Sequence, residues 1–451
     1  MSMRNYIVGF AVTIAAMWLT SSSAYALASF SRQTGVPCSS CHTSFPETTA
    51  FGRAFKLNGY TTSNDSLLLK QEDTDRSPGL GLLQVFPMSV SVRTSLVSTS
   101  RSVPGSQDPS TEFPQQLNIW LAGQITPHIG TYIQLTYSEN GDHLGLDNSD
   151  VRYVGTETTL GGESLIWGID ANNDPTFEDL WNSTPGYGFP FATPDSAGFM
   201  PGPSTMIDGT LGHHVIGIGP YAMWANHLYG LVEVYRSENI GEPQPETGTG
   251  AGDINVQAVA PYWRFAWQEN LGRYSYFEIG TYGIYLKTYP GAISGPTDRY
   301  VDVAGDMTYE LTLPNSDLFV LHSTYIHEST QLSASFAAGS VSQTSDDLNT
   351  FRADASYHFG NKLSFTAGTF FTWGTRDILR YPTGALTGYS NGSPDNGGYV
   401  LQAAYWPWQN LELGVQYRGF TKFNGANSNY DGAGRNAADN NTFYAFVWLN
   451  V

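Results

Sequence analysis

The sequence predicts an all-β protein: a closed antiparallel barrel of about 16 strands, of the outer-membrane type, preceded by a small N-terminal segment. Three observations carry this. The chain holds 48 Gly, 27 Tyr, 24 Phe and 11 Trp, while charged residues make up only 14%. That mix suits strands with aromatic interface girdles better than soluble helices. Period-two rows recur from Val85 onward, such as Leu411-Glu412-Leu413-Gly414-Val415-Gln416-Tyr417-Arg418 and the series Tyr399, Leu401, Ala403, Tyr405. Alternation of this kind marks half-buried strands. The connections between the rows alternate short and long, as tight turns at one rim and long loops at the other produce.

Taken in order, residues 1–26 read as a secretory signal. Arg4 gives a positive start, Tyr6 to Leu19 is an uncharged apolar run, and Ala24-Tyr25-Ala26 supplies a small-x-small cleavage pattern. The run is about 14 residues, short of the ~20 a membrane-crossing helix needs. Residues 27–80 form the next unit. It carries the chain's two cysteines, in Cys38-Ser39-Ser40-Cys41-His42. Two exported cysteines can form a disulfide, and a C-x-x-C pair can be a thiol redox site. Neither explains the histidine directly after the second cysteine. Covalent haem attachment does: two thiols at this spacing add to the two vinyl groups of one haem c, and the adjacent imidazole falls beneath the iron as its proximal ligand. One short helix is expected around Thr48 to Leu57. A unit of this size has a marginal core, so the barrel, residues 81–451, is expected to shield the haem.

Sixteen strands are predicted near 86–98, 115–126, 129–138, 149–156, 163–170, 212–223, 228–237, 254–268, 273–288, 299–312, 318–329, 349–359, 362–373, 398–406, 411–420 and 441–451. An even count puts both barrel ends on the periplasmic side, so the haem segment belongs beside or inside the periplasmic mouth. The last strand ends in Val451, where such barrels more often end in an aromatic residue. The net charge of −19 argues against a nucleic-acid partner, which demands basic patches. It fits acidic loops that attract cations. The partners expected from the barrel alone are outer-membrane lipids.

The N-terminal unit lacks a second axial ligand of its own, because it contains no Met and no His besides His42. A Met or His there would give a six-coordinate electron carrier. The long loop 171–211 offers Met200 and Met206, with His213 and His214 just after it. Met88, Met223, Met307, His322, His327 and His358 are further candidates, each as readily explained by packing or by a solvent-facing strand position. Arg53 and Lys56, at i and i+3 on the short helix, share a face. They are candidates for neutralising haem propionates, or for a salt bridge to the barrel wall. Phe45, Phe51, Phe55 and Tyr60 are expected to pack on the porphyrin, and Arg32 and Gln33 to reach its edge. Acidic runs such as Glu72-Asp73-Asp75 and Asp346-Asp347 read first as loop charge. No spaced set of carboxylates or histidines predicts a second metal site.

The residues around the motif carry a resemblance. Phe30-Ser31-Arg32-Gln33-Thr34-Gly35 before it, and Phe45-Pro46 and Phe51-Gly52-Arg53-Ala54-Phe55-Lys56-Leu57-Asn58-Gly59-Tyr60 after it, resemble the fused monohaem cytochrome–porin family of iron-oxidising bacteria. Asn172 to Thr176, Asp179, Trp181 to Pro185 and Gly188 to Pro190 also look family-like. The resemblance implies a small cytochrome joined to a barrel of about 16 strands in a Gram-negative outer membrane. It implies that electrons pass from extracellular Fe(II) to a periplasmic carrier such as a soluble cytochrome. Two other readings stand beside it: a porin whose haem segment is a plug or sensor, and a haem enzyme acting on peroxide.

Overall fold

A computed structural model describes residues 27–62, 68–70, 81–138, 143–195, 203–237 and 254–451. The predicted signal, Glu72-Asp73-Asp75 and Met200 lie outside these residues.

Sixteen long strands close into one antiparallel barrel. In chain order they are β1 Met88–Thr99, β2 Ser110–Thr126, β3 Ile129–Ser138, β4 His143–Val154, β5 Glu163–Asn172, β6 Val215–Trp224, β7 Leu228–Ser237, β8 Ala260–Asn270, β9 Ser275–Tyr289, β10 Asp298–Thr312, β11 Leu318–Gln331, β12 Asp347–Phe359, β13 Leu363–Gly374, β14 Asn396–Trp408, β15 Leu411–Lys422 and β16 Thr442–Asn450. Each pairs with its neighbour, and β16 pairs with β1 from Thr442↔Thr99 to Asn450↔Ser91, which removes every free edge. Val451 extends this seam by exchanging two backbone hydrogen bonds with Val90, both 2.8 Å. The missing terminal aromatic is therefore no obstacle to closure. Two short ribbons, Thr158–Leu160 and Asn255–Val256, pair onto the wall.

The wall is polar inside and apolar outside. Outward rows expose Ile216, Ile218, Val232, Val234, Phe265 and Leu401, each between 45 and 55% accessible. On intervening inward positions Glu233, Arg264, Glu278, Asp302 and Asp306 are buried. A water-soluble barrel would bury the first set and expose the second; a lipid-facing wall does the reverse. Around the short-turn rim Tyr153, Trp167, Trp224, Trp267, Phe359 and Tyr405 stand exposed, where amphipathic rings sit at a membrane interface. The molecule is a membrane-spanning barrel of the outer-membrane type.

The described part of the long connection between β5 and β6 folds into the barrel. Phe177, Leu180 and Trp181 on it are each only 1% exposed. Asp179 fixes its turn by accepting from the backbone N–H groups of Ser183 (2.9 Å) and Thr184 (3.2 Å). Folded inward, it forms a floor on which the N-terminal segment rests.

Two helices make up that segment. Helix α2, Ala50–Leu57, falls within the predicted range, and Thr49 caps it by accepting from Gly52 N–H at 3.1 Å. Helix α1, Ala28–Thr34, is a correction to the sequence reading, which expects one helix only. It abuts the expected cleavage site and carries no amphipathic period long enough to read. It ends on Gly35, whose φ of 72° closes the helix in the left-handed region. Docking on the wall stabilises it: Ser29 meets Ser89 at 3.1 Å, and Gln33 exchanges hydrogen bonds with the Gln124 backbone at 3.1 and 2.7 Å.

Candidate functional site

Between the helices the chain makes one tight turn, Cys38–Ser40, held by bonds from Cys41 N–H and His42 N–H to the Cys38 carbonyl, both 3.0 Å. This turn puts Cys38, Cys41 and His42 on one cavity. Helix α2 backs it so closely that a methyl group on Gly52 would lie 2.2 Å from the Cys41 carbonyl oxygen. Aromatic rings form a large part of the remaining lining, with Glu412 and several hydroxyl and amide side chains between them. Phe30, Phe45 and Phe55 come from the segment, and Trp120, Tyr132 and Trp448 from the wall. It also reaches Asn361, Gln409 and Asn410 in the short turns, so the motif sits at the short-turn end of the barrel.

The donor set fits a covalent haem. His42 Nδ1 lies 3.2 Å from the Glu47 carbonyl oxygen. A hydrogen bond there fixes the tautomer and leaves Nε2 as the ligand nitrogen, the arrangement iron-binding histidines use. Burial pushes the His42 imidazole down to about 4, so it is neutral and able to ligate. No disulfide joins Cys38 to Cys41. Burial, with Cys38 beside it, pushes the Cys41 thiol up to about 12. A thiol redox pair needs the opposite shift, so the geometry weakens that reading of C-x-x-C. Cys38, Cys41 and His42 are the residues that would hold the group, inside flat apolar walls that exclude water from a porphyrin face.

Other expected contacts are redistributed. Arg53 does not face the cavity. Its guanidinium reaches Glu310 of β10 at 2.5 Å and the Thr48 carbonyl at 2.7 Å, over the Tyr276 ring at 4.2 Å. Lys56 donates to the Phe177 and Asp179 carbonyls at 2.7 and 2.6 Å and to Asn182 Oδ1 at 3.3 Å. Arg53 thus takes the salt-bridge alternative, to the wall, and Lys56 ties the segment to neutral acceptors of the folded-in loop, so neither faces the cavity as a propionate partner. Arg32 bonds the Met88 carbonyl, and Gln33 is spent on β2. Phe45 and Phe55 line the cavity as expected, whereas Phe51 is 45% exposed and Tyr60 donates to Asp150 at 2.5 Å.

None of the described candidates for the second axial position lines the cavity. Met206 is packed in the hydrophobic core, its N–H bonded to Glu328 at 2.9 Å. His213 is exposed beside Asn148 and Asp147 at 3.0 and 3.2 Å, and His214 lies half-buried next to it. In the described part of the loop the aromatic stretch near Phe177 approaches the segment, and the Met206 stretch packs elsewhere. Among the described residues the cavity has no Met and no His other than His42.

A second constellation appears that the sequence did not suggest. Glu47, on the segment, lies with His322 of β11 and Asp354 of β12, one donor atom of each within 4.8 Å of the others. Register makes His322 and Asp354 direct cross-strand partners. They are 32 residues apart in the chain and over 270 from Glu47, so no local spacing announces the group.

No family model and no curated protein matches the chain. Solved structures similar to it are outer-membrane barrels. OmpT of Vibrio cholerae, in a loop-deletion form, is 12% identical, with 81% of this chain and 98% of that one covered and a TM-score of 0.42. The channel DcaP of Acinetobacter baumannii is 11% identical over 81% and 96%, with a TM-score of 0.45. An anion-selective porin from Comamonas acidovorans is 10% identical over 80% and 98%, with a TM-score of 0.43.

Proposed function

We propose that this protein carries electrons across the outer membrane through one covalent haem c held by Cys38, Cys41 and His42, taking them from extracellular Fe(II) and delivering them to a periplasmic carrier. The observation that carries the reading is the shared cavity: both thiols and an imidazole with its Nδ1 already committed meet in an aromatic pocket at the short-turn rim. When bound, the haem supplies a one-electron store, so each Fe(II) leaves as Fe(III) and each oxidised carrier leaves reduced by one electron. Everything else is positioning. Helix α2 backs the Cys41 turn, Arg53 and Lys56 fix the segment inside the barrel, and the aromatic walls keep water from the porphyrin. The short turns of such barrels face the periplasm, which leaves the pocket's mouth open to a soluble partner. The resemblance around the motif supports the choice of Fe(II) as donor.

One observation favours a second reading. Among the described residues no Met or second His lines the cavity, a setting that would suit a haem that activates peroxide. Purified protein separates the two. If the absorption bands of reduced haem appear on adding Fe(II), electron transfer stands. If the haem stays oxidised with Fe(II), yet turns over peroxide, the second reading replaces it.

A further inference from the structure

The haem pocket does not use the Glu47, His322, Asp354 constellation. Glu47 and His322 are buried in the lumen, and the Asp354 side chain is 11% exposed. His322 Nδ1 and Asp354 Oδ2 are 3.5 Å apart. A fourth group adjoins them. His358 Nε2 pairs with Glu47 Oε2 at 2.7 Å, and its side chain is 3% exposed. The distance is that of a charge-assisted contact between an imidazole and a carboxylate, a contact that a cation held by Glu47 would replace. Thr43 donates to the same Glu47 oxygen at 2.9 Å and holds the carboxylate in place.

We propose that Glu47, His322 and Asp354, with His358 adjoining, bind one divalent transition-metal cation. We further propose that in function this cation is the Fe(II) that feeds the haem, a clause that rests on the reading given under Proposed function. The donor chemistry sets the class. One or two imidazoles with two carboxylates suit Fe(II), Mn(II) or Zn(II), whereas Ca(II) takes oxygen alone. The spacing nearly suffices. Donors about 2.1 Å from one ion stand at most about 4.2 Å apart, so the widest pair closes by well under 1 Å.

Access and coupling point the same way. The three residues line a cavity that shares Phe45 and Trp448 with the haem pocket. On its other side it shares Gly188, Phe189 and Arg352 with a cavity nearer the long loops. Together they form a file from the loop end to His42. Arg352 would oppose a cation, but Asp208 pairs with it at 2.7 Å. The carbonyl of Glu47 is the group facing His42 Nδ1, so the cation's carboxylate ligand and the haem's ligand contact share one residue. The step is one electron from bound Fe(II), leaving Fe(III), to the haem, with no other reactant.

The test is calorimetric titration of full-length, haem-loaded protein in detergent with Zn(II), which binds such donors and carries no electrons. One Zn(II) per chain is expected. Glu47→Gln and Asp354→Asn should each weaken it by at least about tenfold, a loss already typical of changing groups one shell further out. His327→Ala, on the outward row of β11, should leave it unchanged. An unaltered haem spectrum shows that each variant is folded, and His322→Gln replaces any that is not. Absent Zn(II) binding, or binding indifferent to all three substitutions, overturns the site. Anaerobic Fe(II) then separates the two readings. If wild-type haem is reduced and the variants match its rate, the cation site is wrong and the electron-transfer reading stands. If Zn(II) binds as expected and Fe(II) never reduces the haem, the site stands as a metal site and the electron-transfer reading falls.

Discussion

The docking of the N-terminal segment inside the barrel can be measured through one ion pair. Arg53 and Glu310 have side chains only 7 and 17% exposed and meet at 2.5 Å. At an effective dielectric near 20, two unit charges about 4 Å apart attract by about 4 kcal/mol. Breaking such a pair from one side strands the other charge, at about 3–5 kcal/mol. Arg53→Met should therefore raise the opening equilibrium of helix α2 by roughly 150- to 5000-fold, read as faster amide exchange of Phe55 to Leu57 in detergent-solubilised protein. Arg53 also serves Thr48 and Tyr276, so the single variant overstates the pair. Glu310→Leu and the double variant complete a cycle in which those extra contacts cancel. A coupling of about 2–3 kcal/mol is expected, the upper range for residues in contact. A coupling below about 0.5 kcal/mol would refute the docked geometry, because an undocked α2 leaves Arg53 in water, where the pair has no reason to form.

Other consequences follow from the same contacts. Gly52→Ala would drive a methyl group into the Cys41 carbonyl, and backbone cannot step aside; haem content per chain, read from absorbance, should fall severalfold. Cys41→Ala should leave a single covalent link, at Cys38, in mass spectra of the denatured protein; two links would show that Cys41 is not an attachment point. Burial, with Arg152 nearby, pushes Lys56 down to about 8 from an ordinary 10.5. The folded chain then loses this proton more readily than the unfolded chain. Segment stability should be flat below pH 8 and rise by up to about 3 kcal/mol towards pH 10.5. Exchange rates across that window test this, and Lys56→Met should abolish the rise.

The barrel was legible because its signal is repeated and local. Period two is cleanest in β6 and β7, and β3 and β7 fall where the alternation placed them. The C-x-x-C-H spacing could be proposed as a haem motif from sequence because covalent attachment needs three residues at a fixed spacing. What could not be read is what depends on the inside of the barrel. Arg53 and Lys56 share a helix face in the sequence, but only the folded-in loop and β10 decide that this face meets carbonyls and Glu310. The Glu47, His322, Asp354 group needs the register of β11 on β12 and the depth of the segment together. Inward polar residues such as Arg152, which pairs with Asp150 and Asp170 at 2.9 and 2.8 Å, were visible only as interruptions of apolar rows. Helix α1 is short and beside a cleavage pattern, and its partners Ser89 and Gln124 lie 60 and 91 residues away.

The most direct measurement places the protein in sealed vesicles with an oxidised soluble c-type cytochrome trapped inside and Fe(II) supplied outside without oxygen. The protein's own haem should become reduced first, and the trapped cytochrome should follow, only in vesicles containing the barrel. A haem that dithionite reduces but Fe(II) leaves oxidised would contradict the account, whatever the barrel conducts.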